Sequence, residues 1–284
     1  MRLAVRHETI YRYTSPAKRA IEVLRLQPRG HNGQFVANWR IDVSADCHLE
    51  QTHDAFGNSV HTFSVDGPLS ELAIVAEGSV ETVDTAGVLS GEIERFPPVL
   101  YLRNTALTTA DSAVRDFARG VVARPDTDRL DLMHALMDGI RERMRFEVDA
   151  TNPGTSAAEA FALGHGVCQD FAHVFIAACR HIGVPARYAG GYLLQTTDTG
   201  TQSAGHAWAE ALIDDFGWVG FDPANGISPT DAYVRVAIGL DYLGAAPVRG
   251  TVFGGSGETL AVSVSVRPQG GSGATLRQVQ GSDN

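Results

Sequence analysis

The feature that most constrains this chain is a change of hydrophobic period at Pro97-Pro98. Up to about residue 95, apolar and polar side chains alternate in short runs: "HETIYRYT", "ANWRIDVSAD", "GNSVHTFSVDG" and "LAIVAEGSVETV". Ser15-Pro16, Pro28-Arg29-Gly30, Gly57-Asn58 and Gly67-Pro68 stand between the runs. A period of two punctuated by such breakers is the pattern of antiparallel strands. Beyond the double proline the steps become helical. Thr109 is placed to cap a helix reaching about Val122, and Leu130, Met133, Leu136, Met137 and Ile140 recur at three and four from Asp128 onward. Ser156-Ala-Ala-Glu159 fits a capping box opening "SAAEAFAL", which Gly164 and Gly166 break. Phe171, Val174, Phe175, Ala178 and Ile182 form a further buried stripe, stopped by Gly183 and Pro185. Strands then return in "ARYAGGYLLQ", "HAWAEALI" and "GWVGFD", the first two separated by the polar, turn-rich "TTDTGTQSAG". The pattern predicts an α+β protein. Its N-terminal antiparallel β-sandwich-like domain covers residues 1–100, a mixed domain covers 101–269, and a Gly/Ser-rich flexible tail covers 270–284.

The 284 residues can bury one large core or two smaller ones. A net charge of −10, from 23 basic and 33 acidic side chains with no basic cluster, argues against a nucleic-acid partner. No apolar run approaches the roughly 18 residues of a membrane span. Arg2, Arg6, His7 and Glu8 interrupt what would be a secretory h-region, so a cytoplasmic location is expected, with no membrane partner and an open oligomeric state. Cys47, Cys168 and Cys179 are odd in number and scattered, which suits neither a disulfide framework nor a zinc site. His7, His31, His48, His53 and His61 lack metal-ligand spacing, so neither a metal nor another cofactor is expected.

Chemistry concentrates in "GHGVCQDFAHVFIAACRHIGVPARYAGGY", where Cys168 follows two glycines and opens an amphipathic helix. A thiol attacks as thiolate, and unpaired N–H groups at a helix N-terminus favour that charge. The glycines would let the chain turn sharply and leave room for a substrate carbonyl. In "GHAWAEALIDDFGWVGFDPANG", His206, Trp208 and Glu210 share one face of a strand and Ala207, Ala209 and Ala211 the other. "DDFG" is short enough to turn a hairpin, so Asp222 at the end of the second strand can reach the His206 ring, strands being about 4.8 Å apart. Such a carboxylate fixes the tautomer and stabilises imidazolium.

Helix-borne Cys, strand-borne His and adjacent Asp over residues 155–226 resemble the transglutaminase-like superfamily of papain-type thiol enzymes. "HETIYRY" and "DAFGN" resemble the N-terminal region that accompanies bacterial members, and "VAIGLDYLGAAPVRGTVFGG" their C-terminal stretch. The resemblance implies that 101–269 is a transglutaminase-like catalytic domain, with the Cys helix packed on an antiparallel sheet. By position it makes Cys168 the nucleophile, His206 the general base and acid, and Asp222 the orienting carboxylate. It implies acyl transfer through a thioester, from a peptide or protein that supplies an amide carbonyl. The Cys168 N–H is the natural oxyanion donor; His165 and Gln169 are candidates for the second. Water is abundant in the expected compartment, so amide or isopeptide hydrolysis is favoured over glutamine-to-lysine cross-linking. A peptide-binding module with a decayed site is the third reading, and the intact Cys, His and Asp weigh against it.

Other side chains have plainer expectations. Cys179 lies eleven residues beyond Cys168, about 16 Å along a helix, and belongs in the core, as does Cys47 in the β domain. His173 and His181 read as satisfied or exposed, and Trp208 as core. Asp170 and Glu210 fit a solvated role about as well as one in the pocket, and Asp214 and Asp215 are turn residues. Asp241 and Tyr242 could approach the site from the C-terminal part.

Overall fold

A computed structural model describes residues 1–123, 127–197, 200–269 and 277–278. The chain begins with β1 (Arg2–Gln27), β2 (Gln34–Val43), β3 (Glu50–His53), β4 (Ser59–Thr82) and the short β5 (Val88–Leu89). The middle carries α1 (Ser112–Val122), α2 (Arg129–Arg143), β6 (Arg145–Phe146), α3 (Ala157–Leu163), β7 (His165–Gly166) and α4 (Cys168–His181). Then come β8 (Ala186–Thr197), β9 (Gly200–Ile213), β10 (Gly217–Phe221), β11 (Tyr233–Gly239), α5 (Tyr242–Ala245), β12 (Val248–Phe253), β13 (Ser256–Pro268) and β14 (Arg277–Gln278). The architecture is α+β with antiparallel main sheets, as the patterning predicts.

The front sheet departs from its predicted segmentation. The runs on either side of Ser15-Pro16 form one 26-residue strand, and those on either side of Gly67-Pro68 form one of 24. These breakers bend the strands instead of ending them. The β1–β4 register shifts between Arg12 and Ala17 and again before Arg19, opposite the cis Gly67-Pro68 bond, and a side chain at Gly67 would run into the Ala17 carbonyl. Beyond the bend pairing resumes, with Arg19 opposite Asp66 and Leu24 opposite His61. Both halves feed one apolar cluster, in which Leu24, Leu26 and Phe63 meet Leu72 and Ile74.

The predicted boundary at residue 100 does not separate the sheets. β12 and β13, inside the 101–269 segment, pair with β1, and β5 from the front segment pairs with β10. β1 has two open edges, and strands from the far end of the chain complete one of them. Sheet order β14-β13-β1-β4-β2, with β12 on β1 and β3 on β4, therefore joins both termini. The second sheet runs β11-β8-β9-β10-β5. Most of the predicted flexible tail lies outside the described residues, but Arg277–Gln278 pair with β13. The expected turn-rich stretch 196–205 is mostly strand, with ladder pairing continuing to Thr197 opposite Gly200. Asp198 and Thr199, within this stretch, lie outside the described residues.

α4 is the hub of the larger apolar core. Eleven of its residues are buried, because α1, α2 and α3 cover it on one side and β8 to β10 on the other. A helix apolar on nearly every face is stable only in such an interior. Phe175 stacks on Phe221 of β10 at 5.2 Å between centroids, and Ala207, Ala209 and Ala211 join the same core. Arg180 pins the far end of α4, donating to the Tyr101, Ala186 and Leu240 carbonyls and to the Thr108 hydroxyl. Among the described residues, no helix is long and apolar enough to cross a membrane.

Candidate active site

Local sequence rules set the path into Cys168. α3 opens on the expected Ser156–Glu159 capping box and closes on Gly164, whose φ of 71° is left-handed. Gly166 follows, then Val167 as the extended N-cap of α4, so Cys168 is the first helical residue. Its backbone N–H and that of Gln169 have no carbonyl one turn back inside the helix. Gly166 also has a packing role that its sequence context did not suggest. Its missing side chain makes room for the Asp170 carboxylate, which a Cβ there would approach to 2.6 Å.

β9 and β10 form the predicted hairpin, with Ile213 opposite Gly217 and Ala209 opposite Phe221. Asp222 follows directly and is fully buried, while the His206 side chain is 7% exposed. His206 Nε2–H donates to Asp222 Oδ2 at 2.6 Å; a carboxylate can only accept, so this nitrogen carries the proton. The Cys168 sulfur lies close enough to the ring for its charge to act on His206. Cys168 itself is half-buried. All three predicted side chains therefore converge.

Burial pulls the His206 pKa down, but the negative charges of Asp222 and Cys168 and the hydrogen bond to Asp222 outweigh it and push it up to about 10. Burial raises the Asp222 pKa, and the charge of His206 with the donors around the carboxylate brings it below the usual carboxylate range. An imidazolium held against the Asp222 carboxylate is the charge state this environment favours.

Sequence reasoning missed two partners of Asp222. The Tyr233 hydroxyl donates to Oδ2 at 2.7 Å, and so does Asn225 Nδ2 at 2.7 Å, while the Ala224 and Asn225 backbone N–H groups donate to Oδ1. Asn225 lies in the quoted "DPANG" and was open to the same turn logic as Asp222. Tyr233 carries no local signal, since it arrives on β11, across β8 from β9. Its ring meets His206 and Trp208 edge-on, and Trp208 is buried against it as expected.

Several plainer expectations are revised. Gln169 Nε2 donates to the Pro153 carbonyl at 3.3 Å, and His165 Nδ1 lies 3.6 Å from Glu147 Oε2. Neither Asp170 nor Glu210 is solvated; both are fully buried. Glu210 lies between Arg187 and Arg235, at 2.6 and 2.5 Å, and those guanidinium groups reach on to Glu94 and Glu92. His173 Nε2 accepts the Tyr242 N–H at 3.0 Å, and Asp241 caps α5, so this segment docks on α4. Asp214 and Asp215 are exposed, with Asp214 paired to Arg129. Cys179 is buried in the core and Cys47 packs on the front cluster. Among the described residues, no group of three His, Cys, Asp or Glu is arranged to hold a metal.

Residues 115–223 match the transglutaminase-like superfamily, and residues 3–81 match the bacterial transglutaminase-like N-terminal region. An uncharacterized protein of Mycobacterium leprae is 29% identical over 272 residues, covering 91% of this chain and 95% of that protein. One from Mycobacterium tuberculosis is 27% identical over 302 residues, covering 94% and 93%. A solved structure from Cytophaga hutchinsonii, described as a candidate cysteine protease, aligns with a TM-score of 0.77 at 18% identity over 97% of this chain and 93% of its own. Residues 115–223 and 3–81 thus resemble the two regions of bacterial transglutaminase-like proteins, and the fold of the Cytophaga structure is shared along nearly the whole length of this chain.

Proposed function

We propose that this protein is a cysteine-dependent hydrolase of amide, peptide or isopeptide bonds that works through a thioester on Cys168. The observation that carries the reading is His206, bonded to buried Asp222 and close enough to Cys168 for the two to interact. The Cys168 sulfur attacks the amide carbonyl carbon, and the carbonyl electrons move onto oxygen. The Cys168 N–H at the start of α4 supplies a donor for that oxyanion. As the tetrahedral species collapses, the C–N bond breaks and the amine leaves with the proton held by His206. A water molecule then attacks the thioester while His206 takes its proton, and the carboxylic acid departs as the sulfur is released. Asp222 keeps the imidazole in the required tautomer and stabilises its cation throughout.

Full-length protein incubated with a peptide panel, with and without a labelled primary amine, tests this. Free acid product and a mass-trapped acyl adduct on Cys168 are expected. Amine incorporation outpacing hydrolysis would replace hydrolase with transferase, and no reaction with any peptide would favour a binding module.

A further inference from the structure

Asp170 lies two residues beyond Cys168, is fully buried and takes no part in the Cys168–His206–Asp222 chain. Its Oδ2 accepts the Val167 backbone N–H at 2.8 Å and the Thr151 hydroxyl at 2.6 Å. Its Oδ1 is equally buried and has no hydrogen-bond partner among the described residues. Gly166 is moulded to the same group: a Cβ there would lie 2.6 Å from Oδ2 and 2.8 Å from the Asp170 Cβ. Residues 166 to 168 are thus folded round one carboxylate.

Capping alone does not account for this choice. An exposed Asp, Ser or Thr caps a helix as well, whereas sealing a half-satisfied carboxylate from water is costly. Burial pushes the Asp170 pKa up in spite of its two hydrogen bonds. Thr151, the other donor, lines an open cleft of about 780 Å³ together with Asn152, Thr155, Glu159 and Leu163. Gln169, on the far side of Cys168, reaches the same loop at Pro153. The turn that presents the sulfur and the wall of the neighbouring cleft are therefore tied at two points.

We propose that Asp170 is a positioning residue, which holds the Gly166–Val167–Cys168 turn in register with His206 and locks it to the cleft wall through Thr151. The inference rests on Cys168 being the nucleophile. Misplacing a reacting group by about 1 Å can cost on the order of 100-fold in rate. Loosening this turn moves the sulfur away from the imidazole.

The test is the pH profile of Cys168 alkylation by iodoacetamide in full-length protein, read by peptide mass spectrometry beside thermal melts. Asp170→Ala is expected to shift the profile toward that of a free thiol near pH 8.5 and to slow alkylation at pH 6 by about 10-fold or more. Asp170→Asn, whose amide oxygen can accept from both Val167 and Thr151, is expected to keep the wild-type profile. Thr151→Val is expected to shift it the same way as Asp170→Ala, by less. A folded Asp170→Ala with the wild-type profile overturns the inference, as does an Asp170→Asn that shifts as far as Ala. If Asp170→Ala fails to fold, an unshifted Thr151→Val overturns it. A wild-type Cys168 that already titrates as a free thiol removes the hydrolase reading and this inference together, which distinguishes the two failures.

Discussion

The Tyr233 hydroxyl donates to Asp222 Oδ2 at 2.7 Å, the same oxygen that receives His206 Nε2–H. A carboxylate buried beyond solvent needs such donors to stay ionised, and the tyrosine holds the oxygen aimed at the imidazole. A hydrogen bond to a charged group is worth about 1.5 to 3 kcal/mol. Tyr233→Phe is therefore expected to lower kcat on a cleaved peptide by about 10-fold or more and to lower the melting temperature by several degrees. Steady-state kinetics beside a thermal melt would show this, and unchanged kcat would remove Tyr233 from the site's machinery.

The three thiols should differ in reactivity by position. Cys168 is half-buried at a helix start beside His206, Cys179 is sealed in the core with its pKa driven up by burial, and burial also raises that of Cys47. Native protein treated briefly with iodoacetamide at neutral pH is expected to be labelled at Cys168 first. Equal labelling of all three would contradict the assignment.

Stability should depend on pH through the His206–Asp222 pair. The folded His206 pKa of about 10 lies above its ordinary 6.5, so its contribution is full below 6.5 and fades as pH rises through about 10. Asp222 is held down, so its contribution is present above the ordinary carboxylate pKa and is lost as pH falls through its folded value. Denaturant unfolding of wild type and His206→Asn should show a stability difference that shrinks between pH 7 and 10. A difference constant over that range would count against the pairing.

Phe175 is fully buried in α4 against Phe221, so Phe175→Ala should cost about 3 to 5 kcal/mol. Chemical denaturation measures this directly. Cys168→Ala, at the half-buried helix start, should abolish turnover with far less effect on unfolding.

Glu210 neutralises Arg187 and Arg235, which are both buried. Glu210→Ala leaves two guanidinium groups without their shared partner and is expected to destabilise the fold by about 3 to 5 kcal/mol. A loss below 1 kcal/mol would mean that Glu92 and Glu94 suffice to compensate them.

What could be read in the linear order was what depends on near neighbours. Cys168 at the start of α4, the Ser156–Glu159 capping box and the β9–β10 hairpin that brings Asp222 to His206 all obey rules that act over a few residues. A local misreading was equally local: Asp111, whose side chain accepts the Val114 N–H, caps α1, while the Thr109 hydroxyl is turned to the Thr105 carbonyl. Gly67-Pro68 and Ser15-Pro16 marked irregularity correctly but not its kind, because whether a strand ends or bends depends on the partner beside it.

The sequence by itself determined the α+β class, the helix that bears the thiol and the three side chains of the candidate site, since periodicity, capping and short turns are written in adjacent residues. Only the tertiary structure decided that β12 and β13 complete the front sheet, that Tyr233 reaches Asp222 across β8, and that Asp170 is sealed beneath the turn that carries Cys168. Pairing between strands far apart in the chain is set by backbone ladders open to any side chain, and burial is a property of what packs on top.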